Sequence, residues 1–261
     1  MRRRGAILGL LALVLAGAGW WIVGAQPQPE ERRAGPGDVY LALGDSLAAG
    51  VLLSQPEEAY VARIGAALQA RAPIVTHNLA VPGATSATLL RQQLPQALAL
   101  IHAEQQAGRR VSPITIDIGG NDALAVRHAP AVERQRMLAQ VEANLGALLD
   151  QLIAATSHQG RREANIAVMT YYNPFPGDAG DPTSEAYWSA RLNETIMRVA
   201  QARQVAVADI RAAFAGGNVY RYTYIAAGDV HANADGHALI AAAFLEALGY
   251  TQTTGFSAGR E

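Results

Sequence analysis

The chain has 261 residues, half of them hydrophobic, and a formal net charge of −1. Its 21 lysine-plus-arginine positions are all arginine and form no concentrated basic face, which argues against nucleic acid as a partner. With no cysteine, the chain cannot use disulfides, thiolate metal sites, a cysteine nucleophile or a lipid-modified N-terminal cysteine.

Arg2, Arg3 and Arg4 precede an uncharged apolar run over residues 6–25, with Trp20 and Trp21 near its outer end. A basic start followed by an apolar segment addresses the chain to a membrane, and a bilayer-spanning helix needs about 20 such residues. The length favours an uncleaved signal anchor over a cleaved signal peptide, although Val23-Gly24-Ala25 offers a small-residue cleavage site. The arginines on the short N-terminal side put the remainder outside the cytoplasm. Residues 26–37 are polar and rich in proline and glycine, and they read as a flexible linker. One domain is expected over 38–250, monomeric, followed by a tail over 251–261.

Within that domain, short apolar runs alternate with longer helical patterns. Strands are predicted over 39–43, 74–79, 111–118, 165–170 and 205–209, and helices over 57–71, 85–101, 132–158, 184–203 and 235–248. In the third helix Leu138, Val141, Leu145, Leu148, Leu149 and Leu152 recur on one side. Such alternation implies a five-stranded parallel sheet with helices on both faces. Right-handed crossovers then suggest the flavodoxin-like order 2-1-3-4-5.

In an open sheet of this kind ligands bind beyond the carboxyl ends of the strands. Gly44-Asp45-Ser46-Leu47 follows the first strand, the turn carrying Gly83 follows the second, and Gly119-Gly120-Asn121-Asp122 follows the third. Asp229-Val230-His231 lies near the C-terminus. Acyl transfer needs a nucleophile, a base, a group that orients the base, and donors for the developing oxyanion. The candidates are Ser46, His231 and Asp229 in that order, with an oxyanion hole from the Ser46 and Gly83 N–H groups and the Asn121 side-chain amide. Tyr171, Tyr172 and Phe175, after the fourth strand, either wall an acyl pocket or simply cover the sheet end.

Bland alternatives accompany each position. Asp45 reads as a turn residue, Asp117 as a hydrogen-bonded structural carboxylate, and Asp122 as a cap on the turn or helix after it. Ser86 is the one serine that competes with Ser46, and a role at the start of its helix is simpler. His237 is the minor rival to His231. His77, His102, His128 and His158 have no acidic partner at useful spacing, and no pair of histidines has a metal-site signature. Gly-x-Ser-x-Gly is absent around Ser46, which argues against the α/β-hydrolase nucleophile elbow.

The blocks Gly44-Asp45-Ser46-Leu47, Gly83, Gly120-Asn121-Asp122 and Asp229…His231 stand in the order found in SGNH (GDSL) hydrolases, and the chain resembles that family over nearly all of 38–248. The resemblance implies an α/β/α sandwich, ester or thioester hydrolysis through an acyl-enzyme, a small acyl ester as substrate, no metal and no organic cofactor. The family's usual last block has two residues between aspartate and histidine and often a proline after the histidine; here only Val230 intervenes and Ala232 follows. A lipase or esterase acting on lipid or other small acyl esters is expected. The rivals are a carbohydrate O-acetyl esterase and a non-catalytic envelope-binding protein on the same scaffold.

Overall fold

A computed structural model describes residues 35–251 of the chain. The N-terminal apolar run, most of the linker and all but the first residue of the tail lie outside the described residues. Among the described residues no helix is long and apolar enough to cross a membrane.

The strands are β1 (Val39–Leu43), β2 (Val75–Asn78), β3 (Val111–Ile116), a two-stranded ribbon of β4 (Ser157–His158) and β5 (Arg161–Arg162), then β6 (Ile166–Met169) and β7 (Ala206–Ala208). The main sheet is parallel throughout, in the order β2-β1-β3-β6-β7. This is the expected 2-1-3-4-5 order once the ribbon is set aside. Every residue of β1, β3 and β6 is buried, as the interior strands of a sheet covered on both faces must be. β2 is an edge strand, and its polar Thr76, His77 and Asn78 fit that position. Between Val39 and Leu41 the register of β1 against β3 slips by one residue, beside Pro113, which has no N–H for the ladder.

The helices are α1 (Ser46–Ala49), α2 (Tyr60–Gln69), α3 (Ser86–Gln106), α4 (Gly120–Ala125), α5 (Ala131–Ala155), α6 (Glu185–Gln201), α7 (Asn218–Arg221) and α8 (Ala234–Ala247). They pack in two groups: α3 against α5 and α5 against α6, and separately α2 against α8. Two boundaries differ from expectation. α3 runs past residue 101 to Gln106, because its polar last turn is held by an ion pair between Glu104 and Arg109. α5 stops at Ala155 because Ser157 and His158 pair with Arg162 and Arg161. The turn between them is Gln159-Gly160, both at positive φ (50° and 76°), the backbone of a tight hairpin rather than of a helix end.

Candidate active site

The first strand ends at Gly44, and the chain there has no room for a side chain. A Cβ on Gly44 would lie 1.6 Å from Asp117 Oδ1. Gln93, buried on α3, brackets the glycine: the Gly44 N–H donates to Oε1 (3.0 Å) and Nε2 donates to the Gly44 carbonyl (2.8 Å). Asp45 then caps α1, its Oδ1 accepting from the Leu47 N–H (3.0 Å) and its Oδ2 from the Tyr171 hydroxyl (3.0 Å). Ser46 is the first residue of α1, so its position follows from a strand end, a capping carboxyl and a glutamine clamp.

Asp117 lies beneath this turn. Its Oδ1 accepts from the Tyr60 hydroxyl (2.9 Å) and its Oδ2 from the Ala48 N–H (3.3 Å), and it is hydrogen-bonded to Asp45. Burial pushes the Asp117 carboxyl well above the usual carboxylate range, and the charge of Asp45 pushes it further. Burial also raises Asp45, against the pull of the Leu47 N–H and of the hydrogen bond from Asp117. The two carboxyls share one dry space, and burial pushes both toward their neutral forms, Asp117 the further. Both aspartates thus have the structural roles expected of them.

Ser46 Oγ lies 2.8 Å from His231 Nε2, and His231 Nδ1 lies 2.6 Å from Asp229 Oδ1. With Nδ1–H donating to the carboxylate, Nε2 is left to accept the serine hydroxyl. The one-residue spacing between aspartate and histidine has a simple geometric basis. Asp229 Oδ1 also accepts the backbone N–H of His231 (2.8 Å), so the carboxylate closes an Asx turn that aims it at the ring of the same residue. Partial burial acts to raise Asp229, but the donors on His231, main chain before ring, outweigh it and hold the carboxyl below its ordinary value. The loop is tied down by the aromatic stretch before it: the Tyr224 N–H donates to the His231 carbonyl (2.9 Å), and Thr223 bridges Ala232. That bridge stabilises Ala232, at the position where the family often has a proline.

Gly83 has φ = +78°, a conformation that glycine adopts without strain, in the turn that precedes α3. The Asn121 amide donates one hydrogen to the Ala84 carbonyl (3.0 Å), which leaves its second N–H for another acceptor. Asp122 corrects the sequence reading. It caps nothing on its own helix, whose preceding residue is Gly119, and instead reaches across to α3. Its Oδ2 accepts the Ser86 N–H (2.8 Å) and its Oδ1 the Ser86 hydroxyl (2.7 Å), while Asn144 donates to Ser86 Oγ (2.9 Å). Ser86 is therefore buried and locked, and Thr85 is the residue that caps α3.

Ser46, Gly83, Asn121 and His231 line a single cavity of about 280 Å³ whose remaining walls are largely apolar, with Leu47, Leu124 and Leu192 among them. Tyr171, Tyr172 and Phe175 line it too. The hydroxyls of the two tyrosines are spent on Asp45 and, at 2.5 Å, on the Val230 carbonyl. Trp188 is not among that cavity's lining residues; its indole N–H donates to the Pro182 carbonyl (3.0 Å) and its ring meets Tyr187 edge-on. His237 points elsewhere, its Nδ1 accepting the Tyr60 N–H (3.1 Å). Among the described residues no cluster of three or more histidines and carboxylates could hold a metal ion. Sequence reasoning missed Gln93, Tyr60 and Asn144. The available signal for Gln93 was a polar residue among Leu89, Leu94 and Ala97 on the buried side of α3.

A doubly covered parallel sheet with a serine–histidine–aspartate chain at its carboxyl edge defines a class: the chain is a carboxylic ester hydrolase with the SGNH fold. It belongs to the GDSL-like lipase/acylhydrolase family, whose profile matches residues 42–239. A comparison with curated proteins finds no match. Among solved structures, the chain is similar to an acetylxylan esterase from Geobacillus stearothermophilus (23% identity, TM-score 0.61, covering 85% of this chain and 99% of the other). A lipase from a goat rumen metagenome is similar at 22% identity, TM-score 0.67, with coverage of 82% and 98%. A psychrotrophic esterase from Pseudoalteromonas sp. is similar at 21% identity, TM-score 0.54, with coverage of 81% and 97%.

Proposed function

We propose that the protein hydrolyses lipid or other small acyl esters through an acyl-enzyme on Ser46. The observation that carries this reading is the unbroken chain Ser46 Oγ, His231 Nε2, His231 Nδ1, Asp229 Oδ1, at 2.8 and 2.6 Å. Ser46 Oγ attacks the ester carbonyl carbon while His231 takes the hydroxyl proton. The carbonyl oxygen gains the negative charge and is met by the N–H groups of Ser46 and Gly83 and the free N–H of Asn121. Collapse breaks the bond to the alcohol, which leaves with the proton from His231. Water, deprotonated by the same imidazole, then releases the acid and restores the serine. Asp229 keeps the ring in the Nδ1–H tautomer and balances the imidazolium charge. Each oxyanion donor is worth about 2.7–4 kcal/mol in the transition state.

An apolar cavity of about 280 Å³ is larger than an acetyl group needs, and this favours a longer acyl chain over the carbohydrate O-acetyl esterase alternative. The basic and apolar N-terminus supports an extracytoplasmic enzyme, membrane-anchored or released, and we take the domain to act as a monomer. The test uses the whole chain: p-nitrophenyl butyrate turnover and fluorophosphonate labelling of wild type, Ser46→Ala and His231→Ala. Both variants should be folded and inactive, and only Ser46→Ala should lose the label completely. A wild type that neither labels nor turns over ester would leave a binding protein on a hydrolase scaffold. Faster release of acetate from acetylated xylan than of butyrate from its p-nitrophenyl ester would favour the carbohydrate reading.

A further inference from the structure

The catalytic cavity is one of three that meet at the same place. A second, of about 350 Å³, lies between the β6–α6 loop, α6 and the segment leading to α7, and a small third one lies toward α5. Phe175 and Ser189 border all three, and Tyr171 borders the first two. Only Phe175 among these can act as an adjustable wall. Tyr171 is fixed at both ends, its hydroxyl on Asp45 and its backbone clamped by Asn193 (2.7 and 2.8 Å). Ser189 is a small buried side chain on α6. Phe175 stands on the irregular stretch between β6 and α6, half-buried, and its backbone is held only locally, by the Asn173 side chain (3.0 Å at both its N–H and its carbonyl). Beyond it, Ala186, Ala190, Phe214 and Val219 line the second cavity together with the polar Asn173, Asn193 and Arg211.

We propose that Phe175 is the partition that sets the longest acyl chain the enzyme accepts, by closing the catalytic cavity off from the second one. The inference rests on the acyl-ester reading above. An acyl group longer than the first cavity has no place to bury its end while Phe175 stands; with that side chain shortened, the apolar residues of the second cavity, Ala186, Ala190, Phe214 and Val219, continue the path. Each methylene then buried contributes to transition-state binding, whereas one left in water contributes nothing.

The experiment measures kcat/KM for p-nitrophenyl acetate, butyrate, octanoate, laurate and palmitate with wild type, Phe175→Ala, Phe175→Leu and the double variant Phe175→Ala/Ala190→Phe. In Phe175→Ala the ratio of laurate to butyrate should rise by about tenfold or more, with Phe175→Leu between it and wild type. Refilling the second cavity in the double variant should return the ratio toward that of wild type. Equal loss at every chain length in both single variants, or a ratio that does not move while butyrate is still hydrolysed, would overturn the partition and leave the esterase reading standing. Should Phe175→Ala fail to fold, the Leu variant carries the test alone. A wild type inactive on every ester would instead refute the esterase reading itself.

Discussion

His237 lets a buried neutral imidazole be read as a stability measurement. It sits on α8 with no exposed surface; its Nδ1 accepts the first N–H of α2, from Tyr60, and its Nε2 has no partner among the described residues. Burial, and then the nearby charge of Arg63, lower its pKa from the ordinary 6.5 to about 4. The unfolded chain therefore takes up a proton near its ordinary pKa while the folded chain refuses it until about pH 4. The stabilising preference for the neutral ring is complete above that upper value and is lost as the pH falls through the lower one. At about pH 4.5 the loss is on the order of 2–3 kcal/mol, from about 1.4 kcal/mol per pKa unit over most of the shift. His237→Asn keeps an acceptor for the Tyr60 N–H and removes the titration. Urea unfolding of both proteins at about pH 8 and about pH 4.5 should show wild type losing roughly 2–3 kcal/mol more than the variant, whatever the variant's own offset. A difference below about 0.5 kcal/mol would mean that the folded protein accepts the proton at little cost, and the account of the α2–α8 contact would be wrong.

The remaining predictions concern turnover. Asp229 uses a single oxygen for both His231 hydrogens, so Asp229→Asn can keep the turn and the tautomer and lose only the charge. Asp229→Ala should cost on the order of a thousandfold in kcat and Asp229→Asn at least about tenfold less; equal losses would show that the asparagine turns its NH2 toward the ring. Asp122→Ala should lower kcat by about a hundredfold with KM little changed, because it removes both Ser86 hydrogen bonds to the helix carrying Asn121 and leaves the Gly83 turn tied to it only through Ala84. A change confined to thermal stability would reduce Asp122 to a packing residue.

The sheet order and the convergence of Ser46 with His231 were legible in the chain. Strand ends in a parallel sheet share one edge, so chemistry written after each strand is brought together by topology alone. What stayed illegible were partners chosen across the fold. Gln93 and Asp122 are polar residues on helices, and nothing in their own segments says that one grips Gly44 and the other Ser86. The extent of α5 failed for a local reason: apolar periodicity fades too gradually to mark its end, and the Gln159-Gly160 turn carries only one of the two residues usual for a tight hairpin. Phe175 was legible as an aromatic near the site, but not that cavities lie on its other sides.

The acidic residue nearest Ser46 in sequence is not the one that bonds the His231 ring, and the environments explain why. Asp45 precedes Ser46 directly, yet its carboxyl turns inward to the Leu47 N–H, to Tyr171 and to Asp117, where burial favours its neutral form. A group that resists ionisation is a poor counterion for an imidazolium. Asp229, many residues away, stands at the rim, and the donors of His231 favour its charged form. The fold thus gives opposite settings to two aspartates near one serine: one braces the turn that holds Ser46, and the other favours its charged form beside the imidazole that the proposed mechanism charges. Exchanging their duties would require a full charge beneath α1, where burial outweighs the Leu47, Asp117 and Tyr171 hydrogen bonds that would support it.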